Sequence, residues 1–217
     1  MKKRTFKNME LGKLVLGVVA TNCYIIENSD TKEAIIIDPG DEPNSVKEYV
    51  KAEGLGIKAI LLTHGHFDHI MAVNELVNTY GISVYACEEE KRLLEDPNVN
   101  CSADIRKPYM VYCENLVKDG ETISIGGFEI KVIATPGHTA GCVCYYFVEQ
   151  QVLFSGDTIF LESVGRTDLP TGNERILLQS IKNKLIPLDD EIIVFPGHGP
   201  DTTMGYEKKH NMYFQRI

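Results

Sequence analysis

Short apolar runs alternate with amphipathic stretches along most of the chain. The runs rich in β-branched and aromatic residues predict β-strands, and they are Lys13–Val19, Cys23–Glu27, Ala34–Ile37, Lys58–Leu62, Ser83–Ala86, Glu129–Ile133, Cys142–Val148, Gln151–Phe154 and Glu191–Phe195. Apolar residues at helical spacing predict helices that end before Gly54 and Gly81, where glycine suits a left-handed cap. A further helix is predicted from Asn173, a good N-terminal cap, to a stop at Pro187.

The domain organisation is simple, because no low-complexity tract or linker divides the sequence. We therefore expect residues 1–217 to form a single domain. The polar segment Asp96–Pro108 has no clear periodicity, and a loop of that length inside a compact domain often has a function. The Lys- and Glu-rich stretches Glu88–Arg92 and Glu207–Lys209 are expected to form solvated faces of helices.

Charge and hydropathy narrow the range of functions. The 217 residues include 22 Lys and Arg against 31 Asp and Glu, which gives a net charge of −9. Nucleic-acid binding normally needs a basic patch, so we expect neither a nucleic-acid partner nor an anionic membrane partner. No apolar run approaches the roughly 20 residues of a membrane-spanning helix, and the basic, then apolar N-terminus is interpreted as a first strand. Chemistry on a small-molecule substrate is the expectation.

The six cysteines do not have the spacing of a metal-binding or redox pair, and they are Cys23, Cys87, Cys101, Cys113, Cys142 and Cys144. A chain of this size needs no disulfide framework in order to fold. We therefore expect free thiols and a cytoplasmic location.

The histidines carry the strongest chemical signal. Three of the six fall in the run Thr63–His69, which reads T-H-G-H-F-D-H and begins where an apolar strand ends. The candidate ligands, predicted to lie on a strand-to-helix turn and on the first helical turn, are His64, His66, Asp68 and His69. Gly65 relieves the crowding that a side chain there would cause. Such a turn can aim several ligands at one point, and imidazole with carboxylate suits zinc, iron and manganese.

Other predicted strands end in comparable loops. Pro-Gly-His sequences place His138 and His198 after two strands, and Asp38 and Asp157 follow two others. Each of these residues alone could be an ordinary histidine or a turn residue. The packed run at 64–69 is different, because its imidazoles and carboxylate would desolvate and repel one another unless a metal organised them. The sequence therefore predicts a metal site.

The H-x-H-x-D-H run and the four strand-end residues, at these spacings, resemble the metallo-β-lactamase-fold superfamily from roughly residue 19 to residue 200. The resemblance implies an α+β fold, a four-layer αββα sandwich of two mixed β-sheets with outer helices. It implies two divalent transition metals, zinc by preference with iron or manganese as alternatives. It assigns one metal to His64, His66 and His138, the second to Asp68, His69 and His198, a bridging position to Asp157 and a supporting role behind the ligands to Asp38.

Within the superfamily, the chain is most similar to compact bacterial glyoxalase II-like enzymes (hydroxyacylglutathione hydrolases) and to persulfide dioxygenases. The matching sequences are TPGHTAG at 135–141, SGDTIF at 155–160 and GRTDLP at 165–170. The β-lactamases usually have Cys or Ser where Asp157 stands, so antibiotic hydrolysis is not expected. Only a short segment follows His198, whereas the full-length glyoxalase II enzymes carry a helical domain that helps to bind glutathione.

The resemblance implies a metal-dependent hydrolase of thioesters, with S-acylglutathione-like substrates and a metal-bridging hydroxide as nucleophile. Asp68 is the expected catalytic residue, because it would orient that hydroxide. Arg166 is a candidate contact for a substrate carboxylate, or else a structural arginine that pairs with Asp168. The alternatives are a mononuclear iron persulfide dioxygenase and a metallohydrolase of another ester or lactone.

Overall fold

The computed structural model describes residues 3–216, whose strands form two large sheets and one short hairpin. In spatial order the first sheet contains β1 (Arg4–Phe6), β2 (Met9–Leu16), β3 (Thr21–Asn28), β4 (Glu33–Ile37), β5 (Gly56–Leu61), β6 (Ser83–Cys87) and β7 (Asn115–Val117). The second contains β15 (Thr202–Thr203), β14 (Ile193–Pro196), β11 (Val152–Gly156), β10 (Val143–Phe147), β9 (Phe128–Ala134) and β8 (Thr122–Ile125). The hairpin consists of β12 (Ile159–Phe160) and β13 (Ser163–Val164).

Both large sheets combine parallel and antiparallel pairing. In the first sheet β1 to β4 are antiparallel neighbours, whereas β4 to β7 pair in parallel. In the second sheet β9 and β11 are both antiparallel to β10, and β11 is parallel to β14. Strands β9, β11 and β14 therefore run in one direction, as do β4 and β5. Loops that follow strands of one direction lie at the same edge of the sheet.

Helices cover the outer face of each sheet. The helices are α1 (Pro43–Glu53), α2 (Phe67–Ile70), α3 (Val73–Tyr80), α4 (Lys91–Glu95), α5 (Glu174–Ser180), which continues as a π-helical turn over Ile181–Leu185, and α6 (Met204–His210). Apolar residues of α1 to α4 pack on the first sheet, and those of α5 and α6 pack on the second. The order of layers is helix, sheet, sheet, helix, which confirms the predicted sandwich.

The central core lies between the two sheets. Side chains alternate along a strand, so Tyr24 of β3 points into this core while Cys23 packs under the helices. Phe154 of β11 is fully buried at its centre, with ring centroids 5.1 Å from Tyr24, 5.4 Å from Phe147 and 5.5 Å from Phe195. Strands β3, β10 and β11, which lie in the middle of the sheets, are buried on both faces.

The structure corrects two predicted boundaries. The predicted first strand, Lys13–Val19, is instead β2, which ends at Leu16 because residues 17–20 form a turn in which the Ala20 N–H donates to the Gly17 carbonyl. The apolar run continues past the strand, and Val18 is 95% exposed at the tip of this turn. The helical pattern before Gly81 is interrupted, since α2 ends at Ile70 and α3 begins at Val73.

The expectation of fully solvated faces in the two Lys- and Glu-rich stretches is wrong for one residue in each. Glu90 is 1% exposed and Glu207 is 0% exposed, because both accept hydrogen bonds inside the molecule. Segment Asp96–Pro108 contains no helix or strand, as expected. The cysteines are buried free thiols. Across residues 3–216, the helices are too short or too polar to cross a bilayer.

The aromatic core predicts a large effect of one truncation. Replacing Phe154 by alanine removes a fully buried ring at the centre of the sandwich, and we expect the free energy of unfolding to fall by about 3–5 kcal/mol. Chemical denaturation in the presence of chelator measures this change without a contribution from bound metal. The matched control is Tyr112→Ala at a ring that is 72% exposed, where a change beyond about 0.5 kcal/mol is not expected. Equal losses for the two variants would contradict the assignment of the core.

Candidate metal centre

The predicted ligands and their supporting aspartate follow five strands whose ends meet at one edge of the sandwich. They are Asp38 after β4, the segment from His64 to His69 after β5, His138 after β9, Asp157 after β11 and His198 after β14. Most of these side chains are buried, and Asp68 and His198 are partly exposed. The common direction of the strands therefore brings residues distant in sequence into one cluster.

One group within the cluster consists of three imidazoles. The Nδ1 atom of His66 lies 2.9 Å from the Nε2 atom of His138, which lies 3.2 Å from the Nε2 atom of His64. Each ring offers one nitrogen such that all three nitrogens lie within 4.8 Å of one another. Three nitrogens that converge in this way can act as ligands to a single ion.

A second group consists of Asp68, His69 and His198. The Nε2 atom of His198 lies 3.2 Å from Oδ2 of Asp68, and the Nε2 atom of His69 lies 3.5 Å from the same oxygen. These three ligand atoms also lie within 4.8 Å of one another. The group combines two nitrogens and one carboxylate oxygen.

Asp157 lies between the two groups. Its Oδ1 atom is 3.5 Å from Nε2 of His69, and its Oδ2 atom is 3.6 Å from Nε2 of both His138 and His198. One carboxylate thus faces histidines of each group. This is the position that a bridging ligand would require.

Hydrogen bonds on the far side of the ring orient three of the histidines, His64, His69 and His138. The Nδ1–H of His138 donates to the backbone carbonyl of Arg166 over 2.7 Å, which leaves the lone pair of its Nε2 atom facing the cluster. The Nδ1–H of His69 donates to Oδ2 of Asp38 over 3.0 Å, so the Nε2 atom of this ring faces Asp68 and Asp157. The Thr63 hydroxyl gives its proton to Asp38, so it accepts from Nδ1–H of His64.

Asp38 holds the loop that carries the first histidines. Its Oδ1 atom accepts from the Thr63 N–H over 2.8 Å, and its Oδ2 atom accepts from the Thr63 hydroxyl over 2.6 Å as well as from His69. The Asp38 backbone has φ of 50°, a left-handed conformation that aspartate tolerates better than most residues. Asp38 thus lies behind the candidate ligands and contacts them through Thr63 and His69.

Two glycines allow the ligands to approach closely. A Cβ atom on Gly65 would lie 2.8 Å from Leu93 Cδ2, which agrees with the crowding predicted from the sequence. A Cβ atom on Gly197 would lie 2.2 Å from Oδ1 of Asp157 and 2.7 Å from Cε1 of His69. The loop before His198 can therefore pass this close to the cluster only because residue 197 is glycine.

The electrostatics of the cluster favour a bound cation. Burial, together with the neighbouring imidazoles, lowers the pKa of His66 to about 3 and lowers the pKa of His64 well below its usual value. Burial would also lower the pKa of His69, but Asp68, Asp157 and Asp38 raise it to about 10. Neutral rings are the form that binds metal, and carboxylates that attract a proton also attract a divalent cation.

The residues present fit a metal pair. The Nε2 atom of His69 and the Oδ1 atom of Asp157, which lie 3.5 Å apart inside the cluster, are buried without a hydrogen-bond partner among the described residues. Buried polar atoms are rarely left unpaired, so such atoms indicate an interaction with a ligand. Imidazole nitrogens and carboxylate oxygens suit zinc, iron and manganese.

A cavity of about 540 Å³ opens next to the cluster. Apart from the candidate ligands, its lining residues are Val19, Phe67, Cys101, Phe160, Ser163, Val164, Arg166 and Leu169. The wall is thus mostly apolar, with one guanidinium. The Arg166 side chain is exposed and donates two hydrogen bonds of 2.7 Å to Asp168, so the structural pairing considered from the sequence is present.

Sequence reasoning missed two polar residues that contact this site. The Thr21 hydroxyl donates to Oδ2 of Asp68 over 3.0 Å, and Glu90 accepts from the loops that carry the histidines. Thr21 lies in a stretch whose sequence is typical of an ordinary β-strand. Glu90 is the last of three consecutive glutamates, a pattern typical of a solvated surface. No local signal distinguishes either residue.

Comparisons with known proteins agree with this geometry. The model of the metallo-beta-lactamase superfamily matches residues 16–198, a span that contains every candidate ligand. Hydroxyacylglutathione hydrolase GloC of Haemophilus influenzae is 34% identical to this chain over 203 residues, 88% of this chain and 92% of that protein.

Solved structures show the same architecture. The crystal structure of BLEG-1 B3 metallo-beta-lactamase matches with a TM-score of 0.90 and 43% identity, over 94% of this chain and 99% of that chain. The crystal structure of TTHA1623 in a di-iron-bound form matches with a TM-score of 0.83 and 35% identity, over 93% and 99% respectively. These likenesses confirm the predicted resemblance, and they imply divalent metals at the histidine and aspartate cluster.

The donor set predicts the metal content. We expect up to two transition-metal ions per chain in protein purified without added metal, because the candidate ligands exceed what one ion requires. Chelator should remove the metal together with activity. Elemental analysis before and after chelation is the measurement. A metal-free protein with full activity would exclude this site as the catalytic centre.

The position of Asp157 predicts a difference between two aspartate variants. Asp157→Ala should lower activity at least about a hundredfold, because it removes the carboxylate shared by both groups. Asp38→Ala should cost about tenfold, since Asp38 acts through His69 and Thr63. Turnover and metal content of both folded variants are measured side by side. Small and equal losses would show that the division of roles is wrong.

Proposed function

The chain belongs to the metallo-beta-lactamase superfamily and is a metal-dependent hydrolase, and on that basis we propose that its substrates are thioesters of the S-acylglutathione type. The observation that carries this proposal is that the two groups of candidate metal ligands lie beside a cavity whose wall offers few proton donors. The hydroxyacylglutathione hydrolase among the relatives supports the same substrate class.

The proposed metal ligands divide between two positions. His64, His66 and His138 would hold one divalent ion, Asp68, His69 and His198 would hold the second, and Asp157 would lie between them. Zinc is the expected metal, with iron or manganese as alternatives, and one solved relative is described in a di-iron form. When bound, such metals supply Lewis acidity that polarises a carbonyl and lowers the pKa of water.

Asp68 is the proposed catalytic residue. Burial would raise the pKa of this carboxyl, but His69, His198 and the Thr21 hydroxyl lower it well below its ordinary value. Asp68 is therefore ionised at neutral pH and can accept a hydrogen bond from the attacking water. The Thr21 hydroxyl fixes one of its oxygens, which leaves the side chain oriented toward the cavity that it lines.

The leaving group supports a thioester over an amide. The cavity residues other than candidate ligands include only Cys101, Ser163 and Arg166 as protic side chains among the residues described. A thiolate leaving group has a conjugate-acid pKa of about 8.5, so it can depart without a strong general acid. An amine leaving group must gain a proton, and these side chains offer no ready donor.

Arg166 is the proposed contact for a substrate carboxylate. Its guanidinium lines the cavity and carries the only positive charge among the described lining residues that are not candidate ligands. Because Asp168 already occupies it with two hydrogen bonds, a substrate carboxylate would share or replace that partner. The apolar lining, which includes Phe160 and Leu169, would contact the acyl group.

Hydrolysis of a β-lactam is the second candidate. The observation that favours it is the 43% identity to a solved B3 metallo-beta-lactamase. The carboxylate at position 157 and the leaving-group chemistry favour thioesters instead. A persulfide dioxygenase with one iron would use the same histidines and Asp157, so ligand variants do not separate it from a hydrolase.

Oxygen dependence distinguishes these activities. We expect the zinc-loaded protein to release thiol from S-lactoylglutathione and from a plain aryl thioester. For each substrate the rate in air should equal the rate under argon, because hydrolysis involves no redox step. A chromogenic cephalosporin tests β-lactam cleavage under the same conditions, and oxygen uptake with glutathione persulfide tests the dioxygenase. The folded Asp68→Ala variant controls for contaminating hydrolase.

The outcomes separate the candidates. Thiol release that is independent of oxygen and lost in Asp68→Ala supports the proposal. Oxygen consumption with persulfide that requires iron, without thiol release from either thioester, would replace it with the dioxygenase. Cleavage of the cephalosporin alone would replace it with β-lactam hydrolysis.

A further inference from the structure

Glu90 is a buried carboxylate at the start of the segment that leads into α4. It is 1% exposed, and no lysine or arginine within residues 3–216 forms a salt bridge with it. Placing an unpaired carboxylate in the interior is unfavourable unless strong hydrogen bonds offset the loss of water. The hydrogen bonds of Glu90 therefore indicate what its burial achieves.

Those hydrogen bonds join two loops of the metal site. The Oε2 atom accepts from the Gly65 N–H over 3.1 Å, and Gly65 lies between His64 and His66. The Oε1 atom accepts from the Gly141 N–H over 2.8 Å and from the hydroxyl of Thr139, the residue after His138. One carboxylate thus contacts both loops that supply the three-imidazole group.

The two loops come from different sheets, since one follows β5 and the other follows β9. The separation of the ligand nitrogens, 2.9 Å between His66 and His138 and 3.2 Å between His138 and His64, depends on how these loops are held relative to each other. Packing supports the same connection, because Leu93 and Leu94 of α4 leave no room for a Cβ atom at Gly65, which would lie 2.8 Å and 2.9 Å from their Cδ2 atoms. Metal sites tolerate errors in ligand position of only about 0.5 Å.

We propose that Glu90 is a positioning residue that fixes the spacing between the H-x-H loop and the His138 loop before a metal binds. Among the described residues it forms no hydrogen bond with a candidate ligand and does not line the cavity, and it acts through Gly65, Thr139 and Gly141. This inference rests on the proposed ligation of one metal by His64, His66 and His138, and it does not depend on the substrate.

The chemistry of the three partners defines a graded series of variants. All three groups donate to the carboxylate, so both of its oxygens are needed as acceptors. In Glu90→Gln one acceptor becomes an NH₂ group that must face an N–H or a hydroxyl, and in Glu90→Ala both acceptors are lost. The effect should therefore increase from wild type through glutamine to alanine.

Glu207 is a matched control for the loss of a buried carboxylate. It is fully buried and also accepts three hydrogen bonds, from the Glu162 N–H, the Thr202 hydroxyl and the Asn211 side-chain amide. Its partners connect the β12–β13 hairpin to α6 and lie outside both histidine loops. Glu207→Ala should therefore lower stability without changing the spacing of the three imidazoles.

The experiment measures amide hydrogen exchange of the two loops in metal-free protein, and zinc affinity in the absence of substrate. In the chelator-treated protein, hydrogen exchange of the Gly65 and Gly141 amides should be faster in Glu90→Ala than in wild type. In Glu207→Ala, compared with wild type under conditions that give both proteins the same global stability, exchange at these two amides should be unchanged. Zinc affinity, measured by competition with a chromogenic chelator, should fall about ten- to a hundredfold for one ion in Glu90→Ala and less in Glu90→Gln. Anomalous diffraction at the zinc edge should locate the loss at the three-imidazole position.

The inference is overturned if folded Glu90→Ala keeps wild-type exchange at both amides and zinc affinity within about twofold of wild type. It is also overturned if Glu207→Ala reduces zinc affinity equally, since that would mark a general loss of stability. Should Glu90→Ala not fold, the same comparison with Glu90→Gln decides. A protein that binds zinc through Glu90-dependent loops but cleaves no thioester would contradict only the proposed function, whereas an active thioesterase unaffected at Glu90 would contradict only this inference.

Discussion

A cluster of imidazoles and carboxylates, packed within a few ångströms and largely closed to water, is the constraint that the rest of the structure accommodates. Burial keeps His64 and His66 neutral, while the carboxylates around His69 raise its pKa to about 10. Such a group of polar side chains is stabilised by hydrogen-bond partners on its outer side and by a cation that neutralises its inner side. The hydrogen bonds of Asp38 and of the Arg166 carbonyl supply outer partners.

The two sheets meet this constraint through reciprocal hydrogen bonds across the core. The Tyr145 hydroxyl, on the second sheet, donates over 3.0 Å to the Leu62 carbonyl, which precedes the first ligand loop. The Tyr24 hydroxyl, on the first sheet, donates over 2.7 Å to the Pro196 carbonyl, which precedes the His198 loop. Both tyrosines are buried in the central core, and the Tyr24 ring packs against Phe154 and Phe195, so the packing of the core contributes to the distance between the ligand loops.

Residues at the ends of strands could be predicted from the sequence, and residues that connect loops could not. The Pro-Gly-His turns and the run at 64–69 can be recognised locally, because adjacent residues determine both the turn geometry and the ligand chemistry. The partners of Glu90 are 25 to 51 positions away in sequence, so no local pattern reveals its burial. The predicted end of the first strand was wrong for a related reason. The exposed Val18 continues the apolar run beyond the point where the chain turns.

The metal site and the substrate wall depend on different parts of the fold. The ligands are fixed by strand ends and by hydrogen bonds between sheets, whereas the cavity wall includes Phe160 on the β12–β13 hairpin, which Glu207 ties to α6. That hairpin pairs only with itself and belongs to neither large sheet. The strands whose ends carry the candidate ligands therefore do not include this hairpin. Relatives that share the fold but differ in their described activity, a hydroxyacylglutathione hydrolase and a B3 metallo-beta-lactamase, are consistent with this separation. Under the proposed function, we expect substrate specificity to depend on the hairpin and on its support by α6, and the chemistry to depend on the candidate ligands at the edge of the sandwich.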